Sequence, residues 1–342
     1  RKKKANTGQN VNEYIKICRL KKATELLASN RYMIKEISYM VGFSSSSYFA
    51  KEFKNQFGIS PSSITSFNPA AVGKETKLNV TAAYAIDMAG FENNPNTMYA
   101  AADMPFVFLK GVHGAGVQFM NDKLGLFSHQ KLGLQYAPKF KLFGGTASVG
   151  VQIGMLSEKF DGSGLDLGDS NDPAFTTSEV NGNALDIGAG IYYVHGDWYG
   201  GLSAQHLTAP LINLGETNEL QIDRTYYLTG GYNIKLRNPF LSIKPSLLVR
   251  TDTKVYRADI SGRLVYKTDE KLMYAGLGYS PSTSVTFMVG GSFHGFVLGY
   301  SYEVYTSAIS AANGSHELFL GYQHDINLIK KGKNKHKSVR IL

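Results

Sequence analysis

Cysteine is nearly absent from the chain, which has one, Cys18, among 342 residues. A single cysteine excludes an internal disulfide and a zinc site built from several cysteines. Long apolar runs are absent as well: no stretch of about 18 apolar residues occurs, so the sequence predicts no helix that spans a bilayer. The chain opens with Arg1-Lys2-Lys3-Lys4 and shows no signal-peptide pattern, which is the start expected of a truncated sequence.

Patterns of catalytic residues are also missing. The eight histidines include no His-Glu-x-x-His spacing, and the sequence contains no Gly-x-Ser-x-Gly turn. Gly114-Ala115-Gly116 lies in an alternating segment, which argues against a nucleotide-binding loop. A Gly-rich loop carries aspartates that match no calcium template, so a solvated acidic loop is favoured there: Asp161, Asp166, Asp169 and Asp172. We predict no enzymatic activity, no cofactor and no metal.

Charge and glycine divide the chain into two parts. Residues 1–65 hold 12 Lys or Arg against 4 Asp or Glu, whereas residues 66–329 hold 18 against 23. A basic tail, residues 330–340, adds 6 Lys or Arg and no acid. Of the 36 glycines, 3 precede residue 66. Because a partner responds to local charge, the basic N-terminal part is the candidate for nucleic-acid binding and the glycine-rich remainder is a second domain.

Three helices are predicted in the basic part, at about 12–29, 33–41 and 45–57, from the spacing of apolar residues. Gly42 permits a tight turn between the last two helices, and Gly58 ends the third. A helix-turn-helix unit of this kind inserts the start of its last helix into the DNA major groove. The serines there can contact base edges and the lysines a guanine or a phosphate. The candidate DNA-binding residues are Ser45, Ser46, Ser47, Lys51 and Lys54.

Short motifs in the same part carry a family likeness. They are Arg19-Leu20-Lys21-Lys22-Ala23, Val41-Gly42-Phe43-Ser44, Phe57-Gly58 and Ser60-Pro61. With these motifs the segment resembles the C-terminal part of an AraC/XylS-type regulator domain. That family joins two helix-turn-helix units and reads two adjacent major grooves, but the leading helices of the first unit are missing here. The resemblance implies a partial DNA-binding domain with DNA as its partner; the alternative is a helical bundle with a solvated basic face.

From Lys77 onward the hydrophobic pattern changes to the period of two that is typical of strands. Tyr and Phe cluster at strand ends, as in aromatic belts, and an even number of strands closes a membrane barrel. We predict a mainly β fold: a 14-stranded antiparallel transmembrane β-barrel over 77–328, preceded by a small all-α helix-turn-helix fragment. A soluble β-sandwich is the alternative. The predicted strands are 77–89, 97–109, 112–121, 126–139, 143–157, 184–194, 198–208, 224–236, 240–252, 255–266, 271–280, 284–293, 295–305 and 315–328.

Two motifs frame the predicted barrel. The first runs Phe67-Asn68-Pro69-Ala70-Ala71-Val72-Gly73, and the second runs Ala311-Ala312-Asn313-Gly314-Ser315-His316-Glu317-Leu318-Phe319-Leu320-Gly321-Tyr322. With them, residues 67–328 resemble the PorP/SprF family of type IX secretion system proteins. The resemblance implies a non-enzymatic outer-membrane barrel that accompanies the translocon, holds secreted cargo at the surface or anchors machinery. It also implies the partners: the translocon or secreted surface proteins, and outer-membrane lipid.

The two parts of the chain suit different compartments, so three hypotheses stay open. The chain is a secretion barrel, a sequence-specific DNA-binding regulator, or a non-functional chimera of the two. The predicted domains are a partial helix-turn-helix domain at 1–64, a junction at 65–76, the barrel at 77–328 and a basic tail at 329–342. We expect the outer membrane for the barrel and the cytoplasm if the N-terminal part governs targeting. The pattern leaves open whether the barrel is open or plugged.

Overall fold

The computed structural model describes residues 64–87, 89, 94–124, 127–161, 179–214, 218–268, 271–281, 283–306 and 314–328. All structural statements below concern these residues. The helices predicted at 12–57 and the basic tail from residue 329 lie outside them. Within the described ranges, no helix is both long enough and apolar enough to cross a membrane.

Strands dominate the described part of the chain. Two single-turn 3-10 helices, Ile64–Ser66 and Pro69–Ala71, precede them. The strands are β1 Lys77–Ile86, β2 Asn96–Phe108, β3 Gly111–Leu124, β4 Phe127–Leu142, β5 Gly145–Asp161, β6 Glu179–His195, β7 Trp198–Gln205, β8 Leu211–Leu214, β9 Asn218–Gln221, β10 Thr225–Tyr232, β11 Ile234–Lys235, β12 Leu241–Thr251, β13 Tyr256–Lys267, β14 Lys271–Ser280, β15 Ser284–Phe293, β16 Phe296–Tyr305 and β17 Ser315–Asp325.

The barrel wall has 14 strands, because β10 and β11 are one strand interrupted at Asn233 and the β8–β9 hairpin stands apart from the main sheet. Neighbours in the wall pair antiparallel, and β10 bridges β7 and β12. The first strand pairs with the last, from Lys77 opposite Asp325 to Ile86 opposite His316. This pairing closes the sheet and leaves no free edge. The predicted 14-stranded antiparallel barrel is confirmed.

Most predicted bounds lie close to the observed ones, and those of β14 and β15 coincide with them. Two differences bear on function. Strand β6 begins at Glu179 rather than at 184, so β5 and β6 pair further than expected. The hairpin of β8 and β9 was not predicted, since strands of four residues are too short to show a periodic pattern.

The barrel is apolar outside and polar inside. On β4, Lys131 and Gln135 are buried, whereas Leu132 and Leu134 between them are 47% and 65% exposed. The same inversion recurs around the wall, where exposed Leu, Ile, Val and Phe alternate with inward Gln, Ser, Asp and Glu. A water-soluble β-sandwich buries its apolar side chains instead, so this wall suits a lipid environment.

On the outer face of β3 to β6, the strand register shows where the apolar, lipid-facing band ends. An apolar row lies in register on the outer face: Phe119, Leu132, Met155 and Leu185. The next outward row, called the polar row below, is uncharged and hydrophilic: Asn121, Gln130, Ser157 and Asn183. Beyond it β5 continues to Asp161, so this part of the wall stands above the apolar band.

The two ends of the barrel differ in their connections. Two-residue turns join β2 to β3 and β4 to β5, with positive φ at Leu109, Lys110, Phe143 and Gly144, as the favoured hairpin turns require. The opposite end carries the long connections after β1, β5, β7 and β16. In outer-membrane barrels short turns face the periplasm and long loops face outward. We therefore call these the periplasmic and the outer end.

Candidate functional site

Residues 64–73, called the luminal plug below, lie inside the barrel. Asn68, Ala70, Ala71 and Val72 are fully buried, at 0% exposure. The Asn68 side chain caps the second 3-10 helix by accepting a hydrogen bond from the Ala70 backbone at 3.0 Å. Pro69 suits the first position of that helix, where no N–H is needed. The Asn-Pro motif thus builds a compact turn that fits within the lumen.

Side chains of the inner wall donate hydrogen bonds to the backbone carbonyl groups of the plug. The Gln135 amide donates to the carbonyl oxygen of Thr65 at 2.8 Å. The Ser203 hydroxyl and the Gln205 amide both donate to the carbonyl oxygen of Phe67, at 2.8 and 2.9 Å. Leaving a buried carbonyl unsatisfied costs about 1–3 kcal/mol, so these side chains stabilise the inserted position.

Further contacts anchor the periplasmic side of the plug. The Lys139 ammonium donates to the carbonyl oxygen of Val72 at 2.9 Å, and the Gly73 backbone donates to Asp103 at 2.7 Å. Asn68 donates to the carbonyl oxygen of Ile191 at 3.1 Å. Because these contacts reach strands β2, β4 and β6, the plug is bound to one side of the lumen along its length.

Inward glycines make room for the plug. A Cβ atom added to Gly114, Gly150 or Gly190 would come closer than 3.0 Å to an atom of the plug. At Gly150 the obstructing atoms belong to the backbone of Pro69 and Ala70, which no rotamer change can move. The glycines of β3, β5 and β6 therefore form a cradle for residues 68–72.

The β8–β9 hairpin enters the lumen from the outer end. Ile212 of β8 is 1% exposed and packs with Leu156 on the inner face of β5. Gly182 of β6 admits it, since a Cβ there would collide with Asn213 and Ile212. The lumen is thus narrowed from both ends, by the plug and by the hairpin.

Between plug and hairpin lies a cavity of about 340 Å³, called the outer cavity below. Phe67 of the plug forms the floor of the outer cavity. Its ring stacks on that of Tyr227, with the ring centroids 5.3 Å apart. A second space of about 90 Å³ lies beside the plug, toward the wall of β12 to β17. The plug therefore closes one side of the lumen and leaves a narrow polar cleft on the other.

Charged side chains are paired on one wall of the outer cavity. Lys131 lies 3.2 Å from Asp186 and also donates to Gln205, which holds the plug. His206, which follows β7, contacts the same carboxylate at 3.0 Å. Burial lowers the pKa of His206, and the adjacent Asp186 opposes that shift. This network links the plug to the base of the outer cavity.

A second network lies on the opposite wall. Arg257 of β13 contacts Asp259 at 2.8 Å and Glu303 of β16 at 3.3 Å. Its neighbour in register, Arg250 of β12, lines the outer cavity, and its buried Nη2 atom has no hydrogen-bond partner in the described part of the chain. The wall therefore presents one guanidinium in contact with two carboxylates, and each of the two guanidinium groups keeps one unpartnered nitrogen, Arg250 Nη2 and Arg257 Nη1, in the described part of the chain.

The described histidines lie in two places, in the outer cavity and near the ends of the barrel. His129 and His206 line the outer cavity, and His129 pairs with Glu158. Five others lie beside aromatic rings near the barrel ends: His113, His195, His294, His316 and His324. Among the described residues, no three or more His, Cys, Asp or Glu side chains form a group suited to a metal. The predicted DNA-binding residues Ser45, Ser46, Ser47, Lys51 and Lys54 lie outside the described ranges.

Comparison with known families identifies the barrel. The family model "Type IX secretion system membrane protein PorP/SprF" matches residues 53–322, which is most of the chain. The chain belongs to the PorP/SprF family. A second model, a helix-turn-helix domain, matches residues 1–66. Both resemblances seen in the sequence are confirmed, and the two matches overlap over residues 53–66, which include the first three residues of the plug. PorP/SprF membership and the closed barrel with its apolar exterior together fit an outer-membrane protein.

The curated relatives match the N-terminal segment. A histidine kinase P4 of Formosa agariphila is 48% identical over 59 residues, which are 17% of this chain and 4% of that protein. The transcriptional activator CsvR of Escherichia coli is 41% identical over 61 residues, or 18% and 23% of the two chains. The chain therefore spans less than a quarter of either relative.

Solved outer-membrane proteins are similar to the barrel at low identity. A Pseudomonas aeruginosa FadL homologue matches with a TM-score of 0.47 and 12% identity, over 76% of this chain and 93% of that one. The CymD monoaromatic hydrocarbon channel matches with a TM-score of 0.44 and 9% identity, over 78% and 93%.

In the sequence, the Phe67–Gly73 motif carries the family resemblance and lies in the predicted junction at 65–76. Its position inside the barrel was not predicted. The signal that could have located it was present. Asn68-Pro69 is a helix-start pair, and the strands carry glycines at inward positions such as Gly150 and Gly190. Together these features indicate a small backbone element that presses against the inner wall.

Proposed function

We propose that the chain acts as a non-enzymatic component of type IX secretion that anchors a translocon or a secreted protein at the outer membrane without conducting it. The plug carries this proposal. Residues 64–73 occupy the lumen and are bound to four strands, β2, β4, β6 and β7, and the outer cavity of about 340 Å³ is too small for a protein domain. Because the plug and the hairpin narrow the lumen, the surface of the barrel is what a large partner can contact.

The outer end of the wall offers such a surface. Above the apolar band, β3 to β6 expose the polar row and then a second hydrophilic row: Lys123, Ser128, Lys159 and Asn181. The inner face of this extension is supported by the β8–β9 hairpin, through Leu156 and Ile212. A supported, hydrophilic sheet face next to the membrane is a suitable dock for a secreted protein.

Replacement of the polar row tests the proposal. The chain is placed behind a secretory signal in a bacterium that uses type IX secretion, and proteins that co-purify with it are quantified. Alanine at Asn121, Gln130, Ser157 and Asn183 should reduce recovery of translocon subunits or secreted proteins about tenfold, equivalent to ~1.4 kcal/mol. The control places alanine at four exposed residues of the periplasmic end, namely Lys110, Lys141, Lys235 and Asp325, and should leave recovery unchanged.

A second arm of the experiment asks whether cargo passes through the lumen. Photo-crosslinking residues are placed at Gln135 and Gln205, which face the plug. Crosslinks should join these positions to the plug. Crosslinks to secreted cargo would show that the barrel conducts it and would contradict the anchoring role.

DNA binding by residues 1–62 is a second candidate function, supported by the helix-turn-helix match over residues 1–66 and the basic charge of this part. A fragment of residues 1–62 should bind duplex DNA weakly and with strong salt dependence, since one unit reads one groove. Lys51→Ala and Lys54→Ala should each reduce the salt slope by about one unit. Binding that is insensitive to salt would contradict this function.

A further inference from the structure

One arginine that lines the outer cavity has a buried nitrogen atom without a hydrogen-bond partner in the described part of the chain. Arg250 lies on the inner face of β12, between Tyr227 of β10 and Arg257 of β13 in register. Its Nη2 atom is buried and unpartnered in the described part of the chain. Arg257 next to it is balanced by Asp259 and Glu303. Arg257 Nη1 is buried and unpartnered as well, so this wall presents two guanidinium nitrogens that lack an acceptor in the described part of the chain.

A carboxylate is the group that fits this place. Arginine stays charged in proteins, and a buried guanidinium without an acceptor is unfavourable. Its planar fork matches the two oxygens of a carboxylate. The neighbouring Arg257 makes a negative ligand more favourable still, because the two guanidinium groups repel each other.

Another side of the cavity carries three carboxylic side chains, with His129 opposite Asp122 in register. Asp87, Asp122 and Glu317 line it from the β1, β3 and β17 side of the barrel. Burial raises the pKa of Asp87, which follows β1, to about 7, and the nearby Glu303, Asp122 and Glu317 carboxylates add to that shift. In the strand order, β17 and β12 are five strands apart, so the acidic side and Arg250 face the cavity from different walls.

The surface between these poles is largely apolar. Phe67 and Tyr227 form the floor, and Leu248 of β12 and Met120 of β3 lie along the sides. At about 340 Å³ the cavity is at the small end of ligand sites, which span roughly 300–1,000 Å³. A ligand that fits is small, has an apolar middle and carries opposite charges at its ends.

We propose that the outer cavity binds a short peptide as a zwitterion, with its C-terminal carboxylate on Arg250 and its amino group against Asp87, Asp122 and Glu317. The two charges meet complementary walls, and an apolar side chain contacts Phe67 and Tyr227. This binding site is independent of the secretion role proposed above, because it lies inside the barrel rather than on the polar row.

Calorimetric titration of the full 342-residue chain in detergent micelles tests the site, with the tripeptide Ala-Leu-Ala as probe. The free peptide should bind, the C-terminally amidated form about tenfold more weakly, and the N-acetylated form also more weakly. Arg250→Gln should weaken binding of the free peptide about tenfold and abolish the difference between the free and amidated forms. Arg263→Gln, the same change lower on the neighbouring strand β13, should leave binding unchanged.

Several results would overturn the proposal. One is equal binding of the free and amidated peptides; another is Arg250→Gln binding like the unchanged protein. A third is equal binding of hexanoate or free leucine, since the first lacks the amino group and the second lacks the length. Folding of each variant is checked by the mobility shift between boiled and unboiled samples. If Arg250→Gln fails to fold, the modified peptides decide the question on the unchanged protein.

Discussion

At the residue scale, the lumen of this barrel is shaped by a glycine, by an arginine with an unpartnered nitrogen and by a buried acid. Gly150 lacks the Cβ that would collide with the plug backbone. Arg250 has a buried donor without an acceptor in the described residues. Asp87 is a buried acid in the field of other acids. The plug explains Gly150, and the proposed peptide site gives Arg250 and Asp87 a role.

Gly150→Ala should loosen the plug. Its new methyl group would press on the backbone of Ala70 and Pro69, and overpacking of this kind costs about 1–3 kcal/mol. In planar lipid bilayers the variant should conduct ions more readily than the unchanged protein. Gly262→Ala is the control, since a Cβ there meets nothing within 4 Å. Equal conductance of all three proteins would show that the plug does not limit ion passage.

Asp87 should make stability fall as pH rises. Its folded pKa of about 7 exceeds the ordinary 3.8, so between these values the folded protein holds a proton that the unfolded chain releases. The free energy of unfolding is therefore highest below about pH 4 and decreases through pH 7, by at most about 4 kcal/mol. Asp87→Asn should flatten urea-unfolding data over this window, whereas Asp325→Asn, at an exposed carboxylate, should not. A pH dependence that persists in Asp87→Asn would refute the assignment.

At the scale of elements, the two faces of each wall strand have different side chains, apolar toward the outside and polar toward the lumen. On β4 the outer face changes from Leu132 to Gln130 at the edge of the apolar band, while the inner face continues with Lys131 and His129. Because neighbouring strands are in register, one such change on each strand sets a straight boundary across β3 to β6. The outer face thus sets the depth in the membrane, and the inner face sets what the lumen holds.

Arginine substitutions along β4 test this boundary. Leu134→Arg, in the middle of the outer face at a side chain that is 65% exposed, should destabilise the barrel by about 2–4 kcal/mol in bilayers. Gln130→Arg, four residues away on the same face, should cost about 0–1 kcal/mol, because it lies above the apolar band. Unfolding titrations in lipid vesicles measure both. Similar losses at the two positions would place the membrane edge elsewhere.

At the scale of the whole molecule, the two proposed functions require different compartments. Ile64, the first described residue, packs with the cluster of Ala70, Ala71 and Tyr192 at the periplasmic end. In an inserted outer-membrane barrel this end faces the periplasm, whereas DNA lies in the cytoplasm. The proposed DNA binding by residues 1–62 and the proposed anchoring role therefore require different locations of the chain.

Closure by the last strand should decide whether the barrel assembles. Deleting residues 314–342 removes β17 and exposes the edges of both β1 and β16. The product should be protease-sensitive and show no mobility difference between boiled and unboiled samples, because unpaired strand edges are not tolerated in a bilayer. Deleting residues 329–342 removes the basic tail alone and should retain the folded mobility. Folded mobility of the shorter chain would mean that β1 and β16 can pair directly.

The sequence by itself determined the barrel and its 14 strands, because alternation and turn residues act over neighbouring positions. Strands β14 and β15 were located to the residue in this way. The sequence also carried both family resemblances, through short motifs of adjacent residues. The tertiary structure alone decided that Phe67–Gly73 is a plug, that β8 and β9 fold inward, and that Arg250 lines the outer cavity with an unpartnered Nη2 atom in the described part of the chain. The reason is distance along the chain: Asn68 binds the carbonyl of Ile191, 123 residues away. No local pattern encodes such a contact, so short non-periodic segments acquire their place from the closed wall around them.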